Sequence, residues 1–372
     1  MANDSEQWIN ELLNQAGITI NGSSPWDIRI VNAELFTRVK TQGSLGLGEA
    51  YMDDWWECKQ LDEFFYRILS NKLEDKIGIS LPLVWEVFKA KVFNLQSLRR
   101  AFQVGERHYD LGNDIFTEML GKTMAYSCGY WNKADGLDSA QEAKIDLICR
   151  KLNLKKGQKV LDIGCGWGSF AKYAAENYGV EVTGITVSEE QLKFAEDFCR
   201  GLPVRFRLMD YRNLNEKFDH IVSVGMIEHV GVKNYRTYMK VARRCLKEDG
   251  LFLLHTIGGL RSGNTTDPWT NKYIFPNGMI PSLKQISGSV EGLFVIEDLH
   301  NFGADYDKTL MAWYHNFDKA WPKLKKKYGK IFYRMWTYYL LSCAGAFRAR
   351  SLELWQIVLS PNGVRGGYKT VR

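Results

Sequence analysis

The chain has 372 residues, 45% hydrophobic and 25% charged, with a net charge of +6, the make-up of an ordinary globular protein with room for two domains. Seven cysteines (58, 128, 149, 165, 199, 245, 343), an odd number without CxxC or CxxH spacing, argue against a disulfide framework or a zinc site and for a reducing cytoplasm. The roughly 18 consecutive apolar residues of a spanning helix are absent, and residues 1–21 lack the apolar core of a signal peptide, so neither is expected.

Residues 1–105 are expected to form a smaller helical domain. Apolar residues recur at three- and four-residue spacing over 6–15, 33–41, 61–69 and 81–102. The first 110 residues are acidic, with 12 Lys/Arg against 16 Asp/Glu. Within 81–102, Trp85, Phe88 and Phe93 alternate with Lys89, Lys91, Arg99 and Arg100, a pattern that suits a domain core or a helix lying on lipid. Residues 106–150 read as a connector holding HYDLGND and YSCGYW. From residue 158 the period changes. KVLDIG, VEVTGIT, VRFRLMD, FDHIVSVG and GLFLLHTIG alternate with helical stretches, and 294–299 and 354–359 add two strands. The expected fold class is therefore α/β, with a seven-stranded doubly wound sheet over 151–372. The end of the chain is basic, with 12 Lys/Arg against 2 Asp/Glu over 318–372. There Lys323, Lys325, Lys326, Lys327, Lys330 and Arg334 interleave with Trp321, Leu324, Tyr328, Ile331 and Phe332. Such a run is a solvated helix face or a contact for an anionic membrane surface.

KVLDIGCGWGS (159–169) carries the first chemical signal. A buried strand ends in Asp162, and Gly164, Gly166 and Gly168 make a tight turn into a helix. The GxGxG spacing differs from the GxGxxG of dinucleotide folds. The next strand ends in Thr186, followed by Ser188 and Gln191, where a dinucleotide fold would place an acidic residue. S-adenosylmethionine has no pyrophosphate; its site needs groups for an ammonium, a carboxylate, a ribose diol and an adenine. Asp162 then orients the loop or meets the amino group. Thr186 and Gln191 meet the ribose or the carboxylate, with strand-end capping as their alternative role. Asp210, closing the third strand beside Tyr211, accepts from the adenine amine. The 49 aromatic residues build a large core, and their ring faces would also suit a sulfonium. The ordered set points to a Rossmann-like methyltransferase domain. Two ionisable residues, Glu228 after the fourth strand and His255 closing the fifth, fall where open α/β sheets bind ligands.

YSCGYW (126–131), VLDIGCGWG (160–168), GMIEHVG (225–231), LLHTIG (253–258), FPNG (275–278), FGADYD (302–307) and CAGAFR (343–348) together resemble the bacterial cyclopropane-fatty-acyl-phospholipid synthases, over essentially the whole chain. The resemblance implies a methylene transfer from S-adenosyl-L-methionine to the cis double bond of phospholipid acyl chains. It implies bound bicarbonate as the base, held by the side chains of Glu228, His255 and Tyr306 and the backbone amides of Cys128 and Ile257. It places Tyr126 and Ser127 on the cofactor. It also implies a homodimer, cytoplasmic and peripheral on the inner face of the membrane, whose N-terminal domain meets lipid. Cys343 is weighed as a nucleophile or a packing residue. Its place in the small-residue run LSCAGAF favours packing.

Two rival readings stand beside this one. The first is a methyltransferase acting on another hydrophobic substrate, such as an amine; the second is a lipid-surface binding module that has lost activity. No metal site and no nucleic-acid module are expected.

Overall fold

Residues 2–73 and 112–372 are described by the structure, a computed structural model, and they divide into two units, each drawn from separate stretches of chain. The helix expected at 81–102, the boundary at residue 105 and 108–111 of HYDLGND lie outside the described residues.

The first unit takes the described residues of Met1–Phe93 with Thr265–Pro276 and Tyr306–Leu352. Its helices Ala2–Gln15, Glu34–Gln42 and Leu61–Ser70 fall where the apolar spacing places them. A further helix, Ser44–Met52, begins after Gly43. Two three-residue strands, β1 (Ile28–Ile30) and β2 (Trp56–Cys58), pair antiparallel and are too short to show a period in the sequence. An aromatic cluster forms the centre. Trp56 is fully buried, with Tyr51 at 5.1 Å and Phe64 at 5.2 Å, while Phe65 and Trp269 meet Tyr338 at 5.2 and 4.5 Å. Tyr338 comes from the helical stretch Ala304–Arg348, which is broken at Gly329 (φ 75°, ψ 169°). Near its end Gly345 lets the stretch approach Leu61–Ser70. A Cβ there would lie 2.6 Å from the Asp62 carbonyl oxygen and 2.7 Å from Phe65 Cβ. Arg348 then pairs with Asp62 (2.8 Å) and Asp307 (3.0 Å).

The second unit takes the described residues of Asn94–Asn264 with Asn277–Asp305 and Glu353–Arg372. Its sheet has seven strands: β3 (Lys159–Ile163), β4 (Glu181–Thr186), β5 (Val204–Leu208), β6 (Phe218–Val224), β7 (Leu246–Gly259), β8 (Val295–Asn301) and β9 (Leu352–Ser360). Their order is β5-β4-β3-β6-β7-β9-β8. The β3/β4, β4/β5, β3/β6 and β6/β7 pairs are parallel, and β8/β9 is antiparallel. The chain winds outward from β3 through β4 to β5, then returns to β6 on the other side, so β3 and β6 flank the crossover point at which open sheets bind ligands.

Side chains alternate across the sheet. Leu161, Ile163, Ile221, Phe252, Leu254, Ile357 and Leu359 belong to one core with the helices Val232–Cys245 and Leu283–Val290. Val160, Val222, Leu253 and Val358 belong to the other, with Leu137–Lys151 and Ser169–Tyr178. By the same alternation Asp162, His255 and Gln356 point to this second face. The Leu137–Lys151 helix covering it buries not only Ile145 and Ile148 but also Gln141, Lys144 and Lys151.

Candidate active site

The loop after β3 holds Gly164, Gly166 and Gly168 at φ 82°, 54° and 89°, a region that side chains disfavour. A Cβ on Gly164 would stand 2.8 Å from Met226 Cγ. At the end of β4, Thr186 Oγ1 donates to Gln191 Oε1 at 2.8 Å, and Ser188 Oγ accepts from the Gln191 amide as the cap of Glu189–Phe198. Thr186 and Gln191 are thus brought together, and their contact is with each other. Past β5, Asp210 is buried, and Arg212 donates to its two oxygens, through Nε and a terminal nitrogen, at 2.8 Å each. Tyr211 is buried against Tyr238 at 5.1 Å. Asp210 therefore arrives with a cationic partner that the sequence reading did not include.

The connector segment YSCGYW is clamped onto the Leu137–Lys151 helix. Gln141 Nε2 donates to the Ser127 carbonyl at 2.7 Å, and Lys144 Nζ to Ser127 Oγ at 2.8 Å. Tyr126 stands edge-on to Phe116 and to Trp167 of the glycine loop, at 5.4 and 6.4 Å, and the Trp167 indole donates to Asn113. Asp305 of FGADYD accepts from the Trp131 amide at 2.8 Å. Two of the sequence motifs are joined there. Burial pushes the Lys144 ammonium down, against the pull of Cys128 and Asp162. Burial raises the Asp162 carboxyl, and Lys144 draws it back. Each group thus moderates the cost of burying the other.

Glu228 lies in a short helical turn after β6, and its Oε1 accepts from the Ile257 amide at 2.8 Å. The Ile257 N–H, expected on an anion, therefore rests on the Glu228 carboxyl. Glu228 Oε2 is buried without a hydrogen-bond partner among the described residues. Burial raises this carboxyl to about 7, opposed by its hydrogen bonds. His255 is 1% exposed near the end of β7, with Nδ1 3.3 Å from Gln356 Nε2 and with no partner on Nε2 among the described residues. Burial holds its imidazole well below the ordinary value, and the charges of Lys144 and Lys151 act in the same direction. A carboxyl able to keep its proton near neutrality and a neutral imidazole can both donate to a small anion.

Cys128 is buried in the second unit. Tyr306 and Cys343 belong to the first unit. The Tyr306 ring stacks on Phe347 at 4.4 Å. Cys343 is half-buried, and burial pushes its thiol up to about 12, so it is not a thiolate at neutral pH. Among the described residues no group of three or more His, Cys, Asp or Glu is placed to hold a metal ion, and no helix is long and apolar enough to cross a membrane.

Sequence reasoning missed Gln141, Lys144, Lys151 and Gln356. A signal was present for the first three. Within DSAQEAKIDLICRK, positions 141, 144, 148 and 151 share one helical stripe, so two lysines and a glutamine stand in line with Ile148.

Comparison with known proteins adds the following. A family model described as mycolic acid cyclopropane synthetase matches residues 96–357. Cyclopropane-fatty-acyl-phospholipid synthase of Escherichia coli (strain K12) is 57% identical over 363 residues, covering 98% of this chain and 95% of that protein. Among solved structures, cyclopropane synthase MmaA2 from Mycobacterium tuberculosis is 31% identical with a TM-score of 0.65, covering 69% of this chain and 97% of that one. Mycolic acid cyclopropane synthase CmaA1, complexed with SAH and CTAB, is similar with the same identity, TM-score and coverage.

Proposed function

The chain belongs to the cyclopropane synthetase family, and from that membership we propose that it forms cyclopropane fatty acids, joining the methyl carbon of S-adenosyl-L-methionine to the cis double bond of unsaturated phospholipid acyl chains, with bound bicarbonate as the base. When bound, the sulfonium supplies an electrophilic methyl group and the bicarbonate a proton acceptor.

The observation that carries this reading is the pair of buried polar atoms without a partner among the described residues, Glu228 Oε2 and His255 Nε2. They come from the turn after β6 and from near the end of β7, and Met226, two residues before Glu228, packs on Gly164 of the glycine loop. The residues fit the two groups. Bare backbone at Gly164, Gly166 and Gly168, the polar end of β4 with Thr186 and Gln191, and Asp210 with Tyr211 hold the cofactor, with Asp162 behind the loop. Tyr126 and Ser127 close over it. Glu228 and His255 orient the anion and, with the Cys128 amide, aim it at the proton lost on ring closure; a role for the Tyr306 hydroxyl rests on the family resemblance alone. Ile257 acts through Glu228, whose carboxyl its amide holds. Holding the alkene, the sulfonium and the base in line accounts for much of the rate, since an alkene is a weak nucleophile.

The chain works as a homodimer, peripheral on the inner face of the membrane. Support for lipid contact lies at the Gly329 break, where Lys323, Lys325, Lys326, Lys327 and Lys330 are all exposed and Ile331 is 62% exposed. Basic residues beside an exposed apolar side chain match an anionic headgroup layer.

The test is incubation of the protein with methyl-labelled cofactor and mono-unsaturated phospholipid vesicles, followed by mass spectrometry of the acyl chains. Labelled chains heavier by one CH2 and lacking the double bond are expected. Transfer to an amine panel instead would replace the lipid reading. Depleting bicarbonate should slow turnover, and adding it back should restore the rate.

A further inference from the structure

Gln356 is a buried amide with no role in the reading above. It stands on β9, beside β7 in the sheet and opposite His300 on β8. Its side chain has no exposed surface, and it is directed to the same sheet face as His255. A buried amide in the middle of a strand is costly unless its groups are used. Among the described residues, the one hydrogen bond of this side chain joins Nε2 and His255 Nδ1, at 3.3 Å.

We propose that Gln356 fixes the tautomer of His255: by donating to Nδ1 it leaves the ring proton on Nε2, so that His255 meets the reaction site as a hydrogen-bond donor and not as the base. The inference rests on the reading that an anion is held there, and it assigns the donor of one hydrogen bond that the anion receives.

Three observations support it. An imidazole nitrogen that accepts a hydrogen bond carries no proton, so in a neutral ring the proton sits on the other nitrogen. His255 Nε2 is the ring atom left without a partner among the described residues, as is Glu228 Oε2, whose carboxyl is tied through Oε1 to the Ile257 amide two residues along β7. In the proposed anion site, an N–H and a carboxyl O–H suit one small anion, whereas two acceptors would repel it. Lys144 and Lys151, buried on the helix covering this face, also oppose a second proton on the ring. The orientation of the amide decides the matter. Turned by half a rotation, Oε1 would accept from Nδ1–H, and His255 would show the site a lone pair. That arrangement leaves both N–H groups of the amide unmet, where the present one leaves one N–H and the oxygen unmet, the smaller cost because an unpaired buried N–H is the rarer defect.

Gln356 is thus a positioning residue, acting through His255. The experiment uses the full chain labelled with 15N at its six histidines. Long-range proton–nitrogen correlation spectra report each tautomer, and His255→Gln identifies the His255 signals by their loss. The expected wild-type pattern is Nε2–H at neutral pH. Gln356→Glu, whose carboxylate accepts from Nδ1–H, should move His255 to the other tautomer or to a doubly protonated ring. It should lower kcat between about 10²- and 10⁴-fold, the range seen when a partner that orients a histidine is lost. Cofactor Kd should change less than about threefold, because the glycine loop is untouched.

A wild-type spectrum with the proton on Nδ1 overturns the proposal, as does a Gln356→Glu protein that keeps its kcat after the tautomer has changed. Should Gln356→Glu not fold, Gln356→Met keeps the volume and removes the donor. A single Nε2–H tautomer with full kcat in that variant overturns the proposal equally. Bicarbonate dependence is read separately: Nε2–H in a protein indifferent to bicarbonate removes the anion reading and leaves the role of Gln356 standing.

Discussion

Glu228 shows what burial does to one side chain. Its carboxyl is raised to about 7 from 4.5 because burial excludes solvent, and its hydrogen bonds, that from the Ile257 amide among them, only partly oppose this. Between those pH values the folded chain keeps a proton that the unfolded chain releases. The stability tied to the protonated carboxyl is therefore complete below about pH 4.5 and is lost as pH rises through about 7. On the order of 3 kcal/mol is involved, at about 1.4 kcal/mol per pKa unit. Glu228→Gln removes that dependence, so thermal melts should show the variant gaining on the wild type between about pH 5 and about pH 8. The same variant should lose about 10²-fold or more in kcat with cofactor affinity held, on the scale of removing one group that stabilises developing charge; equal loss in a calorimetric titration of the cofactor would move Glu228 into the cofactor shell. Cys343→Ser should keep most of the turnover, since a thiol pushed up to about 12 is not a nucleophile at neutral pH. An inactive Cys343→Ser protein with a normal melt would restore the nucleophile. At this scale the sequence exposed Glu228 and His255, because charged residues at strand ends are conspicuous in an apolar run. It hid Gln356, because a glutamine in LELWQIVLS looks like one polar position of an alternating strand until β7 is placed beside it.

Among the elements, strands were legible and breaks were not. Apolar runs of five to seven residues bounded by glycine announced β3 to β6, and the two later strands completed the sheet as expected. The antiparallel pairing of β8 with β9 is a fact of tertiary context. The break at Gly329 was not foreseen, since one glycine within a helical pattern is equally a tolerated defect. Gly345 is its counterpart, a glycine that allows contact. Gly345→Ala should destabilise the protein by about 1–3 kcal/mol in a denaturant melt, because the added methyl meets Leu61–Ser70 backbone atoms that cannot move aside. The exposed lysines act together. Lys325→Glu with Lys326→Glu should weaken binding to anionic vesicles by at least about 2 kcal/mol, at about 1 kcal/mol per basic residue. Co-sedimentation at low and high salt measures this, and unchanged binding would leave the lysines as a solvated face.

For the whole molecule, a reading along the chain finds an early helical part and a late sheet, but not that the first unit joins the early part to two later stretches, Thr265–Pro276 and Tyr306–Leu352. Only contacts distant in sequence reveal this: Tyr338 on Phe65, Gly345 on Asp62, Arg348 on Asp62. Deleting residues 1–105 should therefore strip Tyr338 of Tyr51 and Phe65 while leaving it Trp269, weaken the near-ultraviolet circular dichroism of that cluster and reduce vesicle binding. Cofactor binding, proposed for residues of the second unit, should persist in calorimetry. A truncated chain with unchanged vesicle binding and an intact aromatic signal would refute this. The same discontinuity sets a timetable for biosynthesis. The strand Trp56–Cys58 and the helix Leu61–Ser70 leave the ribosome well before the stretch that packs on them, which ends at Leu352. At about 5–20 residues per second, they wait some tens of seconds with Trp56, Phe64 and Phe65 uncovered. During that interval these aromatic side chains are apolar surface that a chaperone would shield.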